Sequence, residues 1–284
     1  VEFWIPHIEG AVTELLDNAL AENRPIDIVG ELAAPLPAMM IGHLLGFPDE
    51  LWPALHRWSE ETIALGGGPR YANDIGTKAV FEFVEACIEL YEQKSKSPGD
   101  DIMSAWIQAE RNGLKDGSDF GLDQIISDCL LLLDGGAETT RTVIARTLVE
   151  FAKNPKQWEI MKNGADIDIA VEEFIRYVTP IHNMCRLATT DYEIGGEEIK
   201  KGQQVVLMYS SANRDPAHFD EPETFDVTRD PNHHIAFGFG THFCLGASLA
   251  RLEIKTFFSM LLERVSKIRL LSEPVEMPNS FVYG

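Results

Sequence analysis

Between residues 3 and 21, apolar side chains recur every three or four positions (Ile8, Val12, Leu15, Leu16, Leu20), with Glu9, Glu14 and Asp17 between them. That period predicts an amphipathic helix. Further helices are expected over 38–45, stopped by Gly46 and Pro48, and after Pro53 until the chain reaches the loop Gly66-Gly67-Gly68. The pattern returns over 75–94 (Ala79, Phe83, Ile88, Tyr91), breaks at Pro98-Gly99 and resumes over 102–111. Residues 122–153 stay helix-forming until Pro155, about thirty positions that would span roughly 45 Å at 1.5 Å per residue. A helix of that length crosses a whole domain.

The texture changes after Pro180. Tyr192-Glu193-Ile194, the turn Gly195-Gly196, Ile199, the turn Lys201-Gly202 and residues 205–209 read as short hairpin strands. Residues 215–246 are rich in Pro, Asp, Gly and aromatics, and a last helix is expected from Gly246, with Leu249, Leu252, Phe257 and Met260 on its buried stripe. The expected fold class is mainly α with small β-sheets. Neither a repeat nor a linker divides residues 1–284, which read as one domain.

Charge narrows the partners. The chain carries 24 Lys+Arg against 45 Asp+Glu, a net charge of −21, which excludes a general nucleic-acid binder. With 45% hydrophobic and 24% charged residues, the composition is that of a globular protein with a sizeable core. Cys87, Cys129, Cys185 and Cys244 are too far apart for a disulfide framework or a zinc ribbon, so reduced thiols and a cytoplasmic location are expected. The longest apolar stretches, 32–47 and 125–133, are interrupted and fall short of the roughly 18 residues of a membrane span. No signal-peptide pattern opens the chain, and a first residue Val1 in place of Met points to a fragment.

Three segments carry candidate chemistry. In residues 237–246 (Phe-Gly-Phe-Gly-Thr-His-Phe-Cys-Leu-Gly), glycines and phenylalanines surround Cys244 just ahead of a helix start. Glycines permit tight turns, aromatics exclude water, and helix-terminal N–H groups favour thiolate, so the sulfur suits a soft metal or haem iron. The plain alternative is a buried structural cysteine. In Gly135-Gly136-Ala137-Glu138-Thr139, mid-helix glycines are locally destabilising, and the Thr139 hydroxyl stands where it can bond the Gly135 carbonyl and distort the helix. A groove holding the Glu138 carboxylate and the Thr139 hydroxyl is expected; close helix packing is the alternative. Glu173 and Arg176 lie three apart on one helix face, at ion-pair distance. Neighbouring Glu172 is expected to be silent when substituted. His233-His234 reads as solvated loop, and Arg251 with Lys255, four apart, as a local basic patch.

The order of these three motifs resembles the cytochrome P-450 superfamily of haem-thiolate monooxygenases, over essentially the whole chain. The resemblance implies haem b with Cys244 as axial ligand and metal site. It places Phe237, Gly238 and Gly246 in the haem loop, Arg186 and His242 at the propionates, and Glu138 and Thr139 in proton delivery for dioxygen activation. Glu173 and Arg176 would be structural, with Arg229 taking the place of the third charged member seen in many relatives. Also implied are O2, an apolar small-molecule substrate, and electrons from a ferredoxin and its NAD(P)H-dependent ferredoxin reductase. By the same comparison about a hundred residues are missing in front, and the end at residues 281–284 looks slightly early. Residues 179–186 and 279–282 look most like actinobacterial hydroxylases of sterol side chains and methyl-branched lipids. A haem-binding sensor or inactive relative, and a thiol hydrolase using Cys244 with His242, are the rival readings.

Overall fold

The structure is a computed structural model that describes residues 2–22, 24–114, 120–275 and 282. Ten helices carry most of it: α1 (Ile5–Leu20), α2 (Pro35–Leu45), α3 (Trp52–Ile63), α4 (Asp74–Lys96), α5 (Ile102–Asn112), α6 (Leu122–Lys153), α7 (Pro155–Lys162), α8 (Ile167–Val178), the single turn α9 (Tyr209–Ala212) and α10 (Ala247–Arg264). Between α8 and α9 lie β1 (Asn183–Leu187), β2 (Tyr192–Ile194), β3 (Glu197–Ile199) and β4 (Gln204–Met208). The expected mainly helical class with small sheets is what is found.

Local chemistry explains most boundaries. Asn73, Asp101 and Asp166 precede α4, α5 and α8, and each side chain accepts a backbone N–H of the first turn, satisfying a donor that has no intrahelical partner. Helix α2 begins at Pro35, three residues before the expected Ala38, because prolines in a first turn need no donor and bring a helix-compatible φ. At the end of α8, Thr179 turns left-handed (φ 42°) ahead of Pro180. Its Oγ1 donates to the Arg176 carbonyl at 2.6 Å and accepts from Asn213 Nδ2 at 2.9 Å, which ties the helix end to the start of the loop after α9.

Strand β1 was not anticipated. It pairs antiparallel with β4, Asn183 opposite Met208 and Arg186 opposite Val205, while β2 and β3 form the expected hairpin. Residues 183–187 lack strict alternation of apolar and polar side chains, so only the partner strand reveals them.

Two apolar cores meet along α6. Its first half contributes Ile125, Cys129 and Leu133 to a cluster with Leu45, Leu55, Trp58, Phe83 and Met103 from α2 to α5. Its second half contributes Val143, Ile144, Leu148 and Phe151 to a cluster with Ile8, Leu16, Phe174, Phe257 and Phe258 from α1, α8 and α10. Residues 135–139 fall between the two, so the chemistry-bearing turn of the long helix is held from both ends. Among the described residues, no helix is long and apolar enough to cross a membrane.

Candidate functional site

The loop ahead of α10 owes its shape to two glycines: Gly238 (φ 72°) and Gly240 (φ 68°) adopt backbone conformations that side chains resist. The Cys244 N–H donates to the Phe237 carbonyl at 2.9 Å and closes the loop into a ring with the sulfur at its edge. Cys244 is exposed. Burial of the inner side of the sulfur pushes its thiol up, while hydrogen bonds from the Gly246 and Ala247 amides and the Arg251 charge pull it down.

The aromatic cage differs from the expected one. Phe237 packs against the core, but Phe239 is 87% and Leu245 90% exposed, and Phe243 is half open. Apolar surface gathered around one cysteine in this way is a seat for a bulky apolar group, and haem meets that description. Arg186 from β1 and His242 from the loop line one cavity of about 690 Å³, together with Tyr209 and Gly238. Two basic side chains at one edge of a seat that is otherwise apolar match the two carboxylates of haem.

On α6 the two expectations divide between the two glycines. A Cβ at Gly136 would meet Ile41 Cδ1 at 2.3 Å, so this glycine serves close packing of α2 on α6. Gly135 faces open space, as does Leu131, 70% exposed one turn earlier. The Thr139 Oγ1 donates to the Gly135 carbonyl at 2.8 Å as expected, yet the helix runs unbroken from Leu122 to Lys153. Glu138 is not in the groove beside Thr139. It is buried against α3, accepting from Ser59 Oγ at 3.1 Å with Arg141 Nη2 at 2.7 Å, because consecutive helical residues point about 100° apart. One turn earlier Asp134 accepts from Thr62 Oγ1 at 2.7 Å. Burial pushes Glu138 up, and it pushes Asp134 up to about 7 against the Thr62 hydrogen bond. The α3–α6 seam thus holds a buried carboxylate, Glu138, and a half-buried one, Asp134, a feature unreadable without knowing which helix covers that face.

Glu173 and Arg176 are both completely buried. Arg176 donates Nε and Nη2 to the two Glu173 oxygens at 2.7 and 2.8 Å, and spends its remaining donors on the carbonyls of Asn213, Pro222 and Thr224. Arg229 takes the third place, its Nε 3.1 Å from Glu173 Oε2. Asn232 Nδ2 and the Asp226 N–H complete the Glu173 shell.

Three surface expectations are overturned. Glu172 grips Arg251 through two hydrogen bonds of 2.6 and 2.8 Å and contacts His234 Nε2 at 3.1 Å, so it is far from partnerless. His234 is accordingly not solvated, its side chain being 2% exposed, whereas His233 is exposed. The basic patch is neutralised: Arg251 pairs with Glu172, and Lys255 with Asp168 at 2.6 Å. Both pairs join α8 to α10, with members four residues apart on each helix. Of residues 279–282 only Val282 is described, bridged to Ile181; residues 279–281, 283 and 284 lie outside the described residues, as does Val1.

Comparison with known proteins agrees with this geometry. Residues 167–279 match the family model of cytochrome P-450. The steroid C26-monooxygenase of Mycobacterium tuberculosis is 35% identical over 94% of this chain and 72% of the relative. The linalool 8-monooxygenase of Pseudomonas putida is also 35% identical, over 94% of this chain and 66% of its own. A Bacillus megaterium protein solved in complex with testosterone superposes with a TM-score of 0.85 at 33% identity, covering 99% of this chain and 76% of that one.

Proposed function

The chain belongs to the cytochrome P-450 family of monooxygenases, and from that membership we propose that it inserts one oxygen atom of O2 into a C–H bond of an apolar substrate, using haem b that Cys244 would hold through its thiolate. The observation that carries the reading is the exposed Cys244 in a glycine-shaped loop whose Phe239, Phe243 and Leu245 also face outward. When bound, haem supplies dioxygen binding and oxygen insertion, with thiolate donation favouring O–O cleavage.

The chain's own residues then have separate tasks. The loop from Phe237 to Gly246 orients the sulfur, and Arg186 and His242, lining one cavity, would hold the propionates. Leu131 and the open face at Gly135 leave this side of α6 apolar and accessible, where a hydrocarbon would be received. The Thr139 hydroxyl, donating to the Gly135 carbonyl, offers its lone pairs to a proton-carrying water. Glu138, buried on the α3 side and linked to Ser59 and Arg141, would reach that water only through further proton carriers. Glu173 and Arg176 hold the loop 213–232 and touch no substrate.

For substrate we favour a sterol side chain or a methyl-branched lipid. The steroid and linalool names of the relatives support an apolar, branched skeleton. Electrons would come from a ferredoxin and its NAD(P)H-dependent reductase, in a cytoplasmic setting. The test is the reduced, carbon-monoxide spectrum of the haem-loaded protein. The red-shifted thiolate-type Soret band should be present in the wild type and lost in Cys244→Ala; its survival in the variant would assign the ligand elsewhere.

A further inference from the structure

The contacts behind Phe237 form a second charged assembly, separate from the cluster at Glu173. Glu172, on α8, points about 100° away from Glu173 around the helix and holds the Arg251 guanidinium in a two-point grip. Burial by itself would raise the Glu172 carboxyl, but the hydrogen bonds and charges of Arg251 and His234 outweigh it and hold the group at about 2. The guanidinium carbon, so held, lies 4.5 Å from the centroid of the Phe237 ring. His234 approaches the same ring at 5.9 Å and accepts the Ala236 N–H at 3.2 Å, fixing the two residues that enter the loop. The Phe237 carbonyl in turn receives the Cys244 N–H. One continuous path therefore runs from a carboxylate on α8, through a planar cation, to the backbone that carries the sulfur.

We propose that Glu172 is a positioning residue for the thiolate: it pins Arg251 over Phe237 and sets how much of that positive charge reaches the Cys244 sulfur. The proposal rests on Cys244 being the iron ligand. Neither partner touches substrate. Arginine suits the place because its planar fork satisfies the carboxylate with one edge while its face covers the ring, a geometry lysine lacks. Glu172 at 28% and Arg251 at 36% side-chain exposure keep some contact with water, so their charges are free to change without emptying the core.

The experiment is a reductive titration of the haem-loaded protein, reading the midpoint potential of the iron. Removing the negative partner in Glu172→Gln leaves Arg251 uncompensated beside the thiolate, which stabilises the more negative reduced state and raises the potential. Removing the positive partner in Arg251→Gln lowers it. The double variant returns close to the wild type, and Glu172→Asp, which keeps the charge, shifts least. A purely structural role would loosen the loop in both single variants and move both potentials the same way; that result, or no shift in either, overturns the proposal. Should Arg251→Gln lose haem, the comparison of Glu172→Gln with Glu172→Asp carries the test, and equal shifts in those two overturn it. The wild-type spectrum separates the premises: without the thiolate band the ligand assignment falls and takes this proposal with it, whereas with the band present only the role of Glu172 is at stake.

Discussion

Replacing Glu173 by Gln keeps the side chain's shape and removes one charge from a completely buried site. Five donors converge on that carboxylate: Nε and Nη2 of Arg176, Nε of Arg229, Nδ2 of Asn232 and the N–H of Asp226. A Gln amide supplies a single acceptor oxygen, and its NH2 group must face donors. The Arg176 guanidinium is then left with its charge uncompensated where water does not reach. Breaking a buried pair from one side costs about 3–5 kcal/mol, whereas an exposed pair contributes under about 1 kcal/mol. At about 2–4 °C of melting temperature per kcal/mol, the loss is on the order of 6–20 °C. Arg176→Lys should behave similarly, since an ammonium has three donors where the guanidinium uses five. Thermal or urea unfolding of the haem-loaded variants reads the loss directly, and haem content after dialysis reads its consequence for the loop leading to Cys244. Glu172 is no silent control, given its grip on Arg251; Glu159, exposed on α7, takes that part as Glu159→Gln. A loss below about 1 kcal/mol at Glu173, equal to that at Glu159, would refute the argument from burial.

Two further outcomes are expected. Thr139→Ala should keep haem and substrate binding but divert electrons to hydrogen peroxide, measured as a fall in product formed per NAD(P)H consumed; unchanged coupling removes Thr139 from proton handling. Asp134→Asn should flatten the pH dependence of stability. Its value is raised from the ordinary 3.8 to about 7, so the native state holds a proton that the unfolded chain releases in this window, and wild-type stability falls as pH rises through it. The size is at most about 4 kcal/mol. The advantage of the variant in melting temperature over the wild type should be smaller at pH 5 than at pH 8; a constant difference would refute the assignment.

The linear order of residues was enough to place most of the longer helices, though not the bounds of α7 and α8. Helix α6 runs over the expected 122–153 because its apolar repeat and Pro155 act within a few residues of each other. The loop around Cys244, the Thr139 bond to Gly135 and the Glu173–Arg176 pair were legible for the same reason: each joins residues no more than about one or two helical turns apart. What the tertiary structure alone decided are the partners across long stretches of chain. Arg229 meets Glu173 across 56 residues, Arg251 meets Glu172 across 79, and Ser59 meets Glu138 across 79. A charged side chain carries no mark of its partner in its neighbours, so Arg251 reads as a surface cation and Glu172 as a bystander until α8 and α10 are packed together. The direction of Glu138 has the same origin. The helical period separates it from Thr139, but only the presence of α3 on that face makes it a buried carboxylate instead of a solvated one.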